Sequence, residues 1–304
     1  MGETFAILSM TLFSAANVMI NRGSDGSTRS RGAFLSIIMT FALSLIIWIS
    51  AGLYGGFPPI NRIAVAWFAL AGVLTVLIGR VFLYASIQSL GAIKGSAVKR
   101  LNPFFSVIFG VLLLNESMSG EMVFGMILIF SSFGVLVHQS FRTASEHPPL
   151  QTKQTAFSKL ASLGYMYGPV SAIAYASGYV ARKQGLLTMP DAVFGTMIGS
   201  LTGVIFFIAI SGFFDRYRDD LKSTFTVFNP WLLAAGLFGT LGQICYFVAL
   251  TYSGVSKIAL ITSLEVFMTM FLSYLVFRGK LKITPEVIVA AVLGLIGSLF
   301  VIRY

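Results

Sequence analysis

The sequence predicts an all-α polytopic membrane protein whose ten transmembrane helices form two inverted five-helix repeats. Three observations lead to this fold class. Of the 304 residues, 56% are apolar and only 11% are charged, and the mean hydropathy is +0.86. The apolar residues lie in long stretches separated by polar connections, and part of the first half recurs in the second. A water-soluble domain does not bury so large an apolar fraction.

The apolar stretches are long enough to cross a membrane as helices. At a rise of about 1.5 Å per residue, roughly 20 residues cover a hydrocarbon core about 30 Å thick. The spans must be helical because lipid satisfies no backbone hydrogen bonds. The first stretch lacks the cleavage pattern of a signal peptide, so we expect it to remain as a permanent span. The predicted spans are 3–21, 33–53, 63–89, 92–114, 120–139, 158–182, 190–213, 230–252, 255–277 and 284–302.

The formal net charge of +10 does not indicate a nucleic-acid partner. The basic residues are dispersed at the ends of the predicted helices and form no run or patch, so the expected counterpart is the lipid bilayer with its anionic headgroups. The single cysteine, Cys245, lies inside an apolar stretch and excludes an intrachain disulfide and a cysteine metal cluster. We therefore expect no cofactor and no metal site.

An internal repeat divides the sequence. We predict a first five-helix repeat at 1–139, a linker at 140–157 that contains Pro148 and Pro149, and a second repeat at 158–304. Because five is an odd number, the second copy should enter the membrane from the opposite side, an arrangement typical of alternating access. A shift of 163 residues pairs Gly79 with Gly242, Tyr84 with Phe247, Gly91 with Gly254, Lys94 with Lys257, Leu101 with Leu264, Phe104 with Phe267 and Gly134 with Gly297.

Three basic residues lie well inside predicted spans, namely Arg80, Lys99 and Arg100. A charge near the bilayer centre costs at least about 2.5–3.5 kcal/mol, so their presence implies a polar cavity or counter-charges. The one clear acidic residue at similar depth is Glu265. Because the local charge is positive, the site should favour an anion or the carboxylate of a zwitterion. The alternative is a structural Arg–Glu pair that braces the two halves.

Polar residues extend this predicted site along the helices. Tyr84 and Gln88 follow Arg80 at intervals of four residues and share its helix face. Two prolines inside spans, Pro103 and Pro169, are predicted hinges because each removes a backbone donor. The predicted substrate-binding residues are Arg80, Tyr84, Gln88, Lys99, Arg100, Gln243, Thr262 and Glu265.

Several segments resemble a known family. They are Gly91-Ala-Ile-Lys-Gly-Ser-Ala, Leu101-Asn-Pro-Phe-Phe and Leu114-Asn-Glu116, with Leu264-Glu-Val-Phe as a weaker second copy. They resemble the EamA-type branch of the drug/metabolite transporter superfamily, whose Leu-Gly-Glu motif is replaced by Phe277-Arg-Gly279 in the second half. The resemblance implies ten helices and a role as an amino-acid or metabolite exporter in the bacterial inner membrane. The adjacent Lys-Arg also resembles the phosphate-binding pair of plastid sugar-phosphate translocators.

The expected function is secondary-active transport of a small polar metabolite. The sequence contains no nucleotide-binding phosphate loop and no soluble domain for an ATPase, so energy should come from proton coupling or exchange. The alternatives are an exchanger of organic or phosphorylated anions and an intramembrane enzyme, which the two histidines, His138 and His147, support poorly. We expect a non-enzyme that acts as a monomer or homodimer. Loop charges predict termini outside the cytoplasm, whereas the resemblance implies cytoplasmic termini.

Overall fold

The computed structural model describes residues 1–23, 32–82, 101–146, 157–226, 228–276 and 285–303, and for 140–146, 157–165 and Arg216 it describes the backbone alone. These residues form helices and their connections, and no strand occurs among them. The twelve helices are α1 Gly2–Gly23, α2 Ala33–Gly55, α3 Arg62–Gly72, α4 Asn102–Leu114, α5 Gly120–Glu146, α6 Phe157–Thr188, α7 Ala192–Ser211, α8 Asp215–Thr226, α9 Pro230–Tyr252, α10 Val255–Thr262, α11 Glu265–Val276 and α12 Pro285–Arg303.

Within the described residues, eight helical segments are long and apolar enough to cross a membrane. They correspond to eight of the ten predicted spans. Predicted span four is described only from the start of α4, and predicted span six corresponds to α6, which continues to Thr188. The eight segments are Gly2–Gly23, Ala33–Gly55, Arg62–Phe82, Gly120–Gln139, Ala192–Ser211, Pro230–Tyr252, Val255–Val276 and Pro285–Arg303.

Side-chain caps fix where three of the helices begin. The side chains of Asn61, Asp191 and Asn229 accept hydrogen bonds from the first backbone amides of α3, α7 and α9, respectively. The first amides of a helix have no partner within the helix, so such oxygens stabilise its start. Pro230 at the first position of α9 needs no donor there. These caps set the residues at which the spans that contain α3, α7 and α9 begin.

The chain divides into two compact units. Unit 1 comprises residues 1–73, 181–254 and 264–281, and unit 2 comprises residues 74–180, 255–263 and 282–304. Each unit therefore takes helices from both halves of the sequence. The division into repeats at 1–139 and 158–304 stays a prediction about sequence similarity.

Unit 1 is built around the packing of α1 on α9 and of α2 and α3 on α7. Glycines allow the closest approaches. A Cβ on Gly72 would lie 2.6 Å from the carbonyl oxygen of Gly199, and a Cβ on Gly195 would lie 2.8 Å from the rings of Phe68 and Phe247. These small residues let helix backbones approach each other, which lipid-embedded helices need because dispersion contacts drive their association.

The amphipathic helix α8 joins the ends of two spans in unit 1. Its Arg218 donates to the carbonyl oxygens of Ser211 and Gly212 at the end of α7, at 3.3 and 3.0 Å. Its buried Asp220 accepts from the amides of Gly32 and Phe34 at the start of α2, at 2.9 and 3.1 Å. Each charge complements the helix dipole that it contacts. The polar connection after span seven is thus an ordered helix.

Two predicted spans depart from a regular α-helix. Val73–Gly79, which continues α3, is π-helical, and span nine is interrupted at Ser263 and Leu264, between α10 and α11. Next to this break, the hydroxyl groups of Thr262 and Ser263 donate to carbonyl oxygens of the preceding turn, at 2.8 and 2.6 Å. Hydroxyl groups bound in this way compete with the backbone ladder and favour a bend.

Asn115 ends α4 in the left-handed conformation, with φ 51° and ψ 37°. Side chains other than Asn and Asp pay roughly 1–2 kcal/mol in this region, and glycine pays nothing. We expect Asn115→Val to lower the free energy of unfolding by about 1 kcal/mol and Asn115→Gly to preserve it. Denaturation with sodium dodecyl sulfate, followed by circular dichroism, measures both. Equal stability of Asn115→Val and wild type would contradict this role.

Candidate functional site

Glu265 is placed by the break in span nine. It is the first residue of α11 and is half-buried. Its Oε1 accepts a hydrogen bond of 2.6 Å from the side-chain amide of Asn17 on α1, and its carbonyl oxygen accepts one of 3.1 Å from the hydroxyl of Ser14. The break therefore aims a membrane-embedded carboxylate at α1.

Asn17 and Ser14 reach Glu265 together because they lie three residues apart on one face of α1. Ser14 is fully buried and also donates to the carbonyl oxygen of Met10 at 2.8 Å. On the other side of the contact, Thr269 lies one turn after Glu265 on α11, and its buried hydroxyl has no hydrogen-bond partner among the described residues. Polar side chains of α1 and α11 thus meet within unit 1.

Arg182 is the main addition of the structure to the candidate site. It lies inside α6, six residues before the helix ends, which is about 9 Å along the axis. With its amide oxygen turned toward Arg182, Gln243 accepts from Nη1 at 2.7 Å and from Nη2 at 3.3 Å. The guanidinium also lies 4.9 Å from the ring centre of Phe247 and 5.8 Å from that of Tyr246. Gln243, predicted as a site residue, therefore contacts a cation.

The neighbouring Lys183 has a structural contact. Its ammonium group donates to the carbonyl oxygens of Leu250 at 2.6 Å and Ser253 at 2.9 Å, at the end of α9. The last carbonyl groups of a helix have no partner within it and carry partial negative charge, so a lysine there is favourable. Lys183 therefore fixes the turn that precedes α10.

Sequence reasoning does not select Arg182 because the predicted span six ends at residue 182, at the start of the polar run Arg182-Lys183-Gln184. A better signal was present. Pro190 and the capping residue Asp191 lie eight and nine residues after Arg182, and they mark the end of one helix and the start of the next. Reading these two residues as the boundary would have placed Arg182 inside the helix.

Arg80 lies in unit 2, directly after the π-helical segment, and its side chain is half-buried. Within the described part of the chain it makes no hydrogen bond or ion pair. The backbone beside it is held by α6, since Ser171 donates to the carbonyl oxygen of Gly79 at 2.6 Å. A Cβ on Gly79 would lie 3.0 Å from the ring of Tyr175. The position of Arg80 thus depends on close packing of a glycine against α6.

Aromatic residues of α6 pack against the same part of unit 2. The rings of Tyr167 and Phe82 lie 5.8 Å apart, and the hydroxyl of Tyr179 accepts from Asn102 at 3.3 Å. Of the two predicted hinges, Pro169 lies inside α6 and Pro103 lies in the first turn of α4. A proline in a first turn removes no helical hydrogen bond, so the described part of α4 is not interrupted by Pro103.

The other predicted site residues are placed as follows. The hydroxyl of Thr262 donates within its own helix, in unit 2. Gln243 and Glu265 belong to unit 1, and Arg80 belongs to unit 2. Tyr84, Gln88, Lys99 and Arg100 lie outside the described residues. The described part of the chain contains no group of three or more His, Cys, Asp or Glu residues that could hold a metal ion.

Glu116, from the Leu-Asn-Glu motif, caps α10. Its two carboxylate oxygens accept from the backbone amides of Val255 at 2.5 Å and Ser256 at 2.9 Å. Gly110 makes room for this contact, because a Cβ there would lie 2.3 Å from the hydroxyl of Ser256 and 2.6 Å from the carboxylate. The motif is therefore a structural link between α4 and the first half of span nine.

Comparisons with known proteins agree with this all-helical membrane architecture. The model of the EamA-like transporter family matches the chain twice, over residues 1–137 and 162–303. The crystal structure of another protein is similar to this chain, with a TM-score of 0.69 and 14% sequence identity, and the match covers 99% of this chain and 98% of that chain. Among curated proteins no match was found. The resemblance seen in the sequence is confirmed: the chain belongs to the EamA-like transporter family and is a membrane transporter.

Proposed function

We propose that the protein is a secondary-active carrier that exports a small polar metabolite, an amino acid or a related carboxylate, by alternating access. One observation carries this proposal. Unit 1 contains a guanidinium and a carboxylate, at Arg182 and Glu265, each hydrogen-bonded to a side-chain amide within otherwise apolar helices. Charges in membrane spans are costly and commonly mark a substrate or ion pathway.

The chemistry of the Arg182 contact suits a carboxylate ligand. A guanidinium presents donors in a planar fork that matches the two oxygens of a carboxylate. Gln243 orients this fork, and Phe247 provides an apolar wall beside it. Within unit 1 we propose that Arg182 and Asn17 bind the substrate with Gln243 and Glu265, and the other residues predicted from the sequence stay proposed site residues. Pro169 remains a proposed hinge inside α6, and Pro103 remains one at the junction that precedes α4.

We propose ten helices in two inverted repeats, and the packing of some of the spans supports this arrangement. If a two-fold axis relates the repeats, a span next to the axis should pack on its equivalent in the other repeat. A contact between two non-equivalent spans should also recur between their two equivalents. Spans two and seven pack as α2 on α7, four and nine as α4 on α10, and five and ten as α5 on α12. Span two also packs on span eight, as α2 on α9. The equivalent contact, between span seven and span three, is the packing of α7 on α3. Because each copy has an odd number of spans, five, the second copy crosses the membrane in the opposite direction from the first.

The interrupted ninth span supports alternating access. Discontinuous helices are typical of carriers, in which they form a substrate site near the membrane midplane and one repeat or helix bundle rocks against the other around it. The division between α10 and α11 also coincides with a boundary between the two compact units. We propose that the carrier works as a monomer or homodimer in a bacterial inner membrane, without a nucleotide or metal cofactor.

A substrate screen followed by flux measurements tests the function. Purified protein would be examined by thermal shift against amino acids, organic acids and phosphate esters, since a ligand that binds the folded state raises its melting temperature. Compounds that stabilise the protein would then be tested for uptake into liposomes that contain it. If phosphate esters alone move, and only against a counter-substrate, the function is the anion exchange that the Lys99-Arg100 pair suggests. Absence of flux for every stabilising compound would contradict the proposed transport.

Arg182→Gln tests the proposed carboxylate contact. A hydrogen bond to a charged group contributes about 1.5–3 kcal/mol, so we expect the affinity for a transported carboxylate to fall by about ten-fold or more. Competition against labelled substrate in liposomes measures this change. Arg62→Gln is the matched control, because Arg62 is exposed at the start of α3. If both variants bind the substrate with the wild-type affinity, Arg182 does not hold the carboxylate.

A further inference from the structure

The partner of Glu265 is an amide, which can hydrogen-bond to either form of a carboxyl group. An ionised carboxylate accepts from the nitrogen of an Asn side chain, as in the 2.6 Å contact with Asn17. A protonated carboxyl group can donate to the oxygen of the same amide after the amide rotates. An arginine or lysine partner would favour only the ionised form. The Asn17 contact therefore permits a change of protonation without leaving a polar group unsatisfied.

Among the residues of unit 1 that the structure describes, no charged side chain contacts the carboxylate of Glu265. Helix α11 packs on α1, which packs in turn on α9. Among the described residues, Glu265 has no ion pair, and its side chain is hydrogen-bonded to Asn17 alone. The charged and titratable side chains on α1, on the part of α6 in unit 1, on α9 and on α11 are Glu3, Arg22, Arg182, Lys183, Cys245, Tyr246, Tyr252 and Tyr274.

The position of Glu265 supports a role in proton movement. It is the first residue of α11, beside the break between α10 and α11 and inside an apolar segment long enough to cross a membrane. A carboxyl group inside a membrane span is rare and commonly marks an ion or proton pathway.

We propose that Glu265 carries the coupling proton of this transporter, with Asn17 as its positioning residue. The carboxylate takes a proton from water on one side of the membrane and becomes a neutral carboxylic acid. It returns the proton to water on the other side, and no electron is transferred. This inference rests on the proposed carrier function and assigns its energy source to a pH gradient.

Infrared difference spectroscopy tests proton binding without a substrate. Protein in liposomes would be compared between acidic and alkaline buffer, in wild type, Glu265→Gln and the matched control Glu121→Gln, whose residue is exposed in the first turn of α5. We expect the wild type to gain the carbonyl band of a protonated acid in apolar surroundings. This band should be absent from Glu265→Gln and present in Glu121→Gln. A band retained in Glu265→Gln, or no band in any protein while it stays folded, overturns the proposal.

Flux measurements then test coupling. A pH gradient across wild-type and Glu121→Gln liposomes should drive accumulation of a transported metabolite, with proton movement reported by a pH-sensitive dye inside. In Glu265→Gln any residual flux should be independent of the gradient. Gradient-driven accumulation by Glu265→Gln overturns the assignment. If no metabolite moves even into wild-type liposomes, the proposed carrier function alone is contradicted. The infrared band still tests whether Glu265 binds a proton.

Discussion

Gly125→Val is expected to separate α5 from α12, whereas Gly134→Val in the same helix is expected to leave the protein folded. A Cβ at position 125 would lie 2.5 Å from the carbonyl oxygen of Gly297, and a Cβ at position 297 would lie 2.6 Å from that of Gly125. Both obstructing atoms belong to backbone, so no side chain can rotate away. The helices must move apart and lose the contacts that hold unit 2 together.

Overpacking of this kind commonly costs about 1–3 kcal/mol, and the rigidity of both backbones places Gly125→Val at the upper end, about 3 kcal/mol. Gly134 is the control because it is exposed and a Cβ there would meet no atom within 4 Å. The free energy of unfolding, measured by titration with sodium dodecyl sulfate and followed by circular dichroism, should separate the two variants. Similar losses in both would show that α5 and α12 do not pack through these glycines.

Glu116→Gln is expected to destabilise the start of α10. The carboxylate accepts from two successive backbone amides, those of Val255 and Ser256, and both residues are buried. A glutamine side chain keeps one acceptor oxygen and presents an N–H group to the other amide. Hydrogen bonds to a charged group contribute about 1.5–3 kcal/mol, so we expect the free energy of unfolding to fall by about 2 kcal/mol.

The same denaturant titration measures this loss, with Glu121→Gln as the control. Glu121 carries an equal charge in the first turn of α5 but is exposed, and its favourable interaction with the helix dipole is worth less than about 1 kcal/mol. A loss in Glu116→Gln no larger than that in Glu121→Gln would mean that the cap adds little to stability. The motif would then need another explanation.

The sequence predicted the family and most of the membrane spans because hydropathy is a local property. A stretch of some 20 apolar residues must be helical in lipid wherever it packs, so its type and limits follow from composition. The end of span six differs for a local reason too: the span is predicted to end at residue 182, where polar residues begin, whereas α6 continues to Thr188. The stop signal at Pro190 was present in the same segment.

The candidate site was predicted less completely, because polar residues in one span do not reveal their partners in another. The sequence selected Gln243 and Glu265, and the structure places both in contact with side-chain partners. It did not select Arg182, nor Asn17 as a site residue. The four predicted residues Tyr84, Gln88, Lys99 and Arg100 lie outside the described part of the chain, so their roles stay predictions.

The sequence by itself determined that this protein is a helical membrane transporter of a known family, because apolar length and a recurring motif are both written along the chain. Only the tertiary structure decided which charges meet which partners. It brought Glu265 to Asn17 over 248 residues of sequence separation and Glu116 to Val255 over 139. Such pairings depend on how helices pack, and helix packing is set by close approaches between small residues that hydropathy does not register.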